Sequence, residues 1–142
     1  MGTDRSATTR WAGGLADGSG TVSLDSSGVG SFDVSWPART EEPGPLTSPE
    51  ELIAAAHSSC YSMMLSHVVG EAGGTLRSAQ TSAVVTFVVG EGITKIALTT
   101  RADVEGLDDA AFDKAAQDAK DQCPVSGLVK GNTEMTLDAA RG

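Results

Sequence analysis

Two cysteines, Cys60 and Cys123, are the residues of this 142-residue chain whose type points most directly to chemistry. A cysteine reacts as its thiolate, and a pair can cycle between dithiol and disulfide. Attack on a peroxide needs that thiolate held where water is scarce and a cation is near. Cys60 lies in PEELIAAAHSSCYSMMLSHVVGEA, residues 49–72, a stretch with no continuous polar face. Burial there raises a thiol's pKa, because desolvation disfavours charge. A positive group must offset that, and Arg39, His57 one turn earlier and His67 two turns later are the candidates. Arginine is the better partner: it stays charged in any environment, and its planar fork can hold a thiolate and a peroxide oxygen together. A carboxylate can lock the fork through a bidentate pair, and Glu50 is the nearest in sequence.

Other arrangements of these residues compete. Pro124 restarts a helix directly after Cys123, and a thiolate at a helix N-terminus is stabilised by the dipole. That argument nominates Cys123 as the nucleophile, so the residues alone leave the choice between the two sulfurs open. Both cysteines also fit a plainer reading as small buried hydrophobes. His57-x-x-Cys60, with His67 and Cys123, offers metal-ligating types, but no CxxC or HExxH motif accompanies them. Ser58, Ser59 and Ser126 lack the elbow motif of a serine hydrolase.

The elements that position these residues follow from pattern. Residues 49–72 read as one long helix: Ser48 or Thr47 caps it, Pro49 opens it, and Glu50 and Glu51 sit at its positive end. Gly70 and the Gly73-Gly74 pair mark its stop. Ile53, Ala56, His57, Met64 and His67 share the Cys60 stripe, and a helix this apolar is expected to be buried on most sides, in a core or at a subunit interface. Before it, TTRWAG, GTVSLDS and VGSFDVSW read as an antiparallel meander, and PARTEEPGPLTSP as a loop that carries Arg39. After it, residues 76–106 read as a hairpin turning at Gly90-Glu91-Gly92. Asp108 caps a second helix whose inward stripe is Phe112, Ala116, Ala119 and Cys123, and TEMTLDA closes the chain as a strand. The order predicts a single α+β domain over residues 1–142, antiparallel sheets around a long helix.

Glu50 and Cys60 are ten residues apart on one helix, about 15 Å of rise. One arginine head group cannot bridge that along a straight helix. Two subunits with antiparallel long helices would remove the conflict, with Arg39 and Glu50 of one chain over Cys60 of the other. A homodimer with composite sites is therefore predicted.

Composition narrows the partners. The net charge is −9 and repels phosphate, so neither nucleic acid nor an anionic membrane surface is expected as a partner. No apolar run is long enough to span a bilayer, and the N-terminal residues lack the apolar core of a secretory signal. The expectation is a cytoplasmic protein, where a permanent structural disulfide is disfavoured and a cycling thiol pair is the better functional reading. Aromatics are only 4% of the chain, so small aliphatics must build the core.

The stretches PEELIAAAHSSCYSMMLSHVVGEAG, ITKIALTTRADVEGLD and AKDQCPVSGLVKGNTEMTLDA together resemble the OsmC/Ohr family of bacterial organic hydroperoxide reductases, in its OsmC branch. The resemblance runs from Trp11 to Leu137. It implies the OsmC-like fold as an intertwined homodimer with the long helix at the interface. It implies Cys60 as the peroxidatic thiol, Cys123 as the resolving thiol that closes a disulfide with it, and Arg39 with Glu50 as the activating pair. The activity implied is a two-cysteine hydroperoxide reductase without metal, haem or flavin, acting on organic hydroperoxides in oxidative-stress defence and reduced by a dithiol such as a dihydrolipoyl protein. An apolar pocket lined by helix residues would favour alkyl hydroperoxides over hydrogen peroxide. The competing class is non-enzymatic: a stress-induced redox sensor, or a protein that binds an apolar ligand.

Overall fold

A computed structural model describes all 142 residues. Internal contacts gather them into two compact units, Met1–Leu52 and Ile53–Gly142. The long helix contributes its first turn to the first unit and the rest to the second.

The first unit is a three-stranded antiparallel sheet of β1 (Thr8–Ala12), β2 (Ser19–Ser23) and β3 (Ser31–Val34), in that order. In β2 a Cβ at Gly20 would lie 2.8 Å from a ring carbon of Trp11, so only glycine lets the indole cross the neighbouring strand there. The segment after β3 corrects the sequence reading. Trp36 does not extend the strand and Arg39 is not in a loop: Trp36–Thr40 form a short helix, α1. Ser35 caps it, its Oγ accepting from the Ala38 N–H at 3.2 Å, and Pro37 fits the first turn, where a missing N–H costs nothing. The cap followed by proline was the available signal; five residues are too few to show a helical period. The Thr47 N–H then donates to the Asp33 carbonyl at 3.0 Å, closing the loop back on β3.

The long helix α2 runs from Pro49 to Glu71. Ser48 caps it through the Glu51 N–H at 3.1 Å. A Schellman motif ends it: the Gly74 N–H reaches the Val69 carbonyl at 2.9 Å and the Gly73 N–H the Gly70 carbonyl at 3.0 Å, with Gly73 left-handed at φ +91°. Burial on most sides does not hold within the chain. Over residues 53–71 one stripe, His57, Tyr61, Leu65, Val68 and Val69, is buried. The opposite side, with Ala55, Ala56, Ser59, Met63, Ser66 and His67, is exposed, and Met64 and Cys60 are half-buried. Apolar composition all round says which faces can be buried, not which ones this chain covers.

The second unit pairs β4 (Thr75–Val88) with β5 (Gly92–Glu105) as an antiparallel hairpin, and β5 with β6 (Glu134–Arg141) in parallel. The expectation of antiparallel sheets therefore fails for this last strand. From β5 the chain returns through α3 (Asp109–Gln122) and α4 (Pro124–Val129), and a helical crossover brings the next strand back in the same direction. A bulge at the Thr86/Phe87 step pairs Phe87 with Ile93 and Thr86 with Lys95. It resolves the odd spacing of Ile93 and Ile96, which strict alternation would put on opposite faces.

Asp108 caps α3 through the Ala111 N–H at 2.8 Å, and the predicted stripe Phe112, Ala116, Ala119 and Cys123 is buried. It joins Leu98, Ala102 and Val104 of β5 and the buried stripe of α2 in one core. The Tyr61 hydroxyl crosses that core to donate to the Ala116 carbonyl at 3.0 Å. Burial pushes the Tyr61 phenol well up from its ordinary value, so it acts as a neutral donor.

Candidate active site

The chemically distinctive side chains fall into two groups, one in each unit. In the first, α1 and the first turn of α2 bring Arg39 and Glu50 together, as expected. Arg39 Nε donates to Glu50 Oε1 at 2.8 Å and Nη2 to Oε2 at 2.9 Å, the parallel fork that arginine makes with a carboxylate. Glu50 is 7% exposed and sits in the first turn of α2, where the dipole favours an anion. The Trp36 ring centre lies 5.8 Å from the guanidinium carbon, one turn earlier on α1, in cation–π range. Sequence reasoning missed this indole, because it assigned Trp36 to a strand.

Beside this pair opens a cleft of about 500 Å³ lined by Trp11, Leu15, Val22, Trp36, Arg39 and Leu52. It is predominantly apolar with one charged group at its wall, the usual make-up of a small-ligand site. The sheet and α1 form most of this cleft and the long helix adds Pro49 and Leu52 alone, so it is not the helix-lined pocket expected from the sequence.

In the second unit Cys60 and Cys123 are neighbours, both as free thiols. Cys60 is half-buried, one residue before the buried Tyr61. Cys123 is 1% exposed and forms the joint between α3 and α4, with φ −60° and ψ 122°. Burial pushes the Cys60 thiol up; the Val125 backbone N–H, donating to its sulfur, opposes that, and nearby Cys123 adds to the rise. Within its own unit Cys60 is therefore held as a thiol rather than activated.

Neither histidine supplies the missing charge there. His57 is 0% exposed and burial pushes its imidazole down, so it is neutral at physiological pH. Its Nε2 is 2.9 Å from Ser126 Oγ, while Nδ1 is buried without a partner. His67 lies on the exposed side of α2. No three His, Cys, Asp or Glu side chains converge as a metal-binding group. The His57–Ser126 bond and the Val125 N–H were both missed by sequence reasoning, which named no partner for His57 and weighed Ser126 only as a nucleophile. The signal was the matched spacing of His57-x-x-Cys60 and Cys123-x-x-Ser126, a polar residue three positions from each sulfur.

A long helix with a cysteine, a second helix ending at another cysteine, and two three-stranded sheets have known counterparts. The chain belongs to the OsmC-like protein family, whose sequence profile matches residues 42–138. That stretch takes in Glu50, Cys60 and Cys123 and begins after Arg39. The chain is 45% identical over 132 residues to the peroxiredoxin OsmC of Escherichia coli (strain K12), covering 90% of each. Its fold matches the crystal structure of the organic hydroperoxide resistance protein OhrB of Bacillus subtilis at a TM-score of 0.71 and 26% identity, over 95% of this chain and 98% of that one. An organic hydroperoxide resistance protein from Elizabethkingia anophelis shares the fold over the whole of both chains, at a TM-score of 0.76 and 24% identity.

Proposed function

We propose that this chain is a thiol-dependent peroxidase that reduces organic hydroperoxides through Cys60 and Cys123. The observation that carries the reading is the pairing of two free thiols, one reachable and one buried, in a chain so similar to a protein named as a peroxiredoxin. Cys60 is the attacking sulfur because it is the more accessible of the two. Its thiolate attacks the outer peroxide oxygen, the O–O bond breaks, and the alkoxide takes a proton and leaves as the alcohol. Cys60 is left as a sulfenic acid. The Cys123 sulfur then displaces its oxygen, which leaves as water, and a disulfide forms. A dithiol, of which a dihydrolipoyl protein is one, supplies two electrons and two protons to restore both thiols.

Arg39 supplies the charge that Cys60 lacks in its own unit. Glu50 fixes the orientation of the guanidinium, which then stabilises the thiolate and the developing negative charge on the leaving oxygen. In this reading the two units act as one OsmC-like domain, and the site forms in a homodimer with Arg39 and Glu50 set over Cys60 of the partner subunit. The exposed small and apolar side of α2, with Ala55, Ala56, Ser59 and Met63, supports a helix-to-helix interface. The cleft beside Arg39 supports an apolar organic group on the peroxide.

The test is consumption of an alkyl hydroperoxide with a dithiol reductant, for wild type and Cys60→Ser in parallel. Many turnovers per subunit in the wild type and none in the variant are expected. Reaction that stops after one equivalent would make the chain a redox sensor instead, and turnover surviving in Cys60→Ser would transfer the attack to Cys123.

A further inference from the structure

Resting on the two-cysteine reading, we propose that the His57–Ser126 hydrogen bond is the positioning device for disulfide closure. It holds the segment carrying Cys123 and the Val125 N–H in register with Cys60. His57 precedes Cys60 by three residues on α2, and Ser126 follows Cys123 by three at the start of α4. The two segments are thus joined by two rungs one helical turn apart. One rung is the hydrogen bond at 2.9 Å; the other is the pair of sulfurs.

The short helix needs such an anchor. α4 has six residues, its N-cap residue Cys123 makes no side-chain capping bond, and Leu128 within it is 77% exposed. A helix of that length has little stability of its own, so contacts outside it must set its position. Ser126 is 2% exposed and His57 0%, and the bond between them is shielded from competing water. Besides the Val125 N–H on the Cys60 sulfur, α2 makes two side-chain hydrogen bonds to the α3–α4 segment: Tyr61 to the Ala116 carbonyl, and His57 to Ser126. The first locates the middle of α3, while the second acts at the joint itself. Burial pushes the His57 pKa down, which favours the neutral imidazole in this bond.

Closure is the step that depends on this register. Cys123 must bring its sulfur onto the Cys60 sulfenic acid within the narrow geometry of a disulfide, forming S–S as the oxygen leaves as water. An unanchored α4 lowers the effective concentration of that sulfur. The sulfenic acid then survives long enough to meet a second peroxide, which oxidises it to sulfinic acid and is itself reduced to an alcohol.

The experiment is a single turnover. Fully reduced wild type, Ser126→Ala and His57→Gln each receive one equivalent of cumene hydroperoxide. Quenched samples are resolved by intact mass into thiol, sulfenic acid and disulfide. Closure in Ser126→Ala is expected to be roughly tenfold slower than in wild type. Sulfenic acid formation slows less, and excess peroxide yields sulfinic acid. His57→Gln, whose amide can still donate to Ser126 Oγ, should fall between the two. Closure in Ser126→Ala at the wild-type rate would overturn the inference, and so would equal slowing of both steps, which marks a general loss of structure. A wild-type chain that forms no disulfide at all would overturn the two-cysteine reading with it.

Discussion

The two units of this chain handle polar chemistry in opposite ways. In Met1–Leu52 a full positive charge is held rigid: Arg39 is forked onto Glu50 and sits beside the Trp36 ring. In Ile53–Gly142 the reactive groups are kept neutral: Cys60 stays a thiol, His57 an uncharged imidazole and Tyr61 an uncharged phenol, each through burial. One unit holds the forked guanidinium, the other the two free thiols. A cysteine left as a thiol is protected from indiscriminate oxidation. In the proposed function it becomes reactive where Arg39 is brought to it, and that meeting is what makes the enzyme.

The sharpest way to break this division of labour is to separate the groups by subunit. Dimers mixed from Cys60→Ser and Arg39→Ala chains should regain one working site per dimer, although each variant alone is nearly inactive. No recovery in a turnover assay of the mixture would show that charge and sulfur come from the same chain. Removing the charge is the next largest effect. Arg39→Ala should slow peroxide reduction roughly a hundredfold and raise the pH midpoint of Cys60 alkylation. Arg39→Lys restores little, since an ammonium lacks the fork. Glu50→Gln keeps shape and loses the anion, so a smaller loss, roughly tenfold, is expected from a guanidinium less firmly oriented. Equal alkylation profiles in all three variants would separate Arg39 from Cys60 chemistry.

The smallest effect tests the neutral side. His57 has a folded-state pKa below its unfolded one, so the unfolded chain binds the extra proton. Stability from this residue is fully present above the unfolded value of about 6.5 and is lost as pH falls below it, by at most about 1.4 kcal/mol per pH unit. Denaturant unfolding between pH 7 and pH 5 should therefore show a steeper decline for wild type than for His57→Gln. Parallel declines would mean that His57 is protonated in the fold.

Much of this was legible in the residues. The cap at Ser48, the glycines after Glu71, the cap at Asp108 and the stripe from Phe112 to Cys123 are local signals, set by a few neighbours and readable from spacing. The Arg39–Glu50 pair was legible too, because charge type and proximity in sequence suffice to nominate it. What went unread depends on segments far apart in the chain. The direction of β6 follows from the crossover through α3 and α4, and the covered stripe of α2 from which elements pack on it. The partner of His57 lies 69 residues away. Sequence by itself determined the two long helices, their ends and the chemical types at hand, but not α1. Only the tertiary structure decided that Cys60 lies beside Cys123, and that His57, one of three candidates to charge it, is hydrogen-bonded to Ser126. Protonation state and hydrogen-bond partner are set by burial and by who is nearby, and neither is a property of the chain in one dimension.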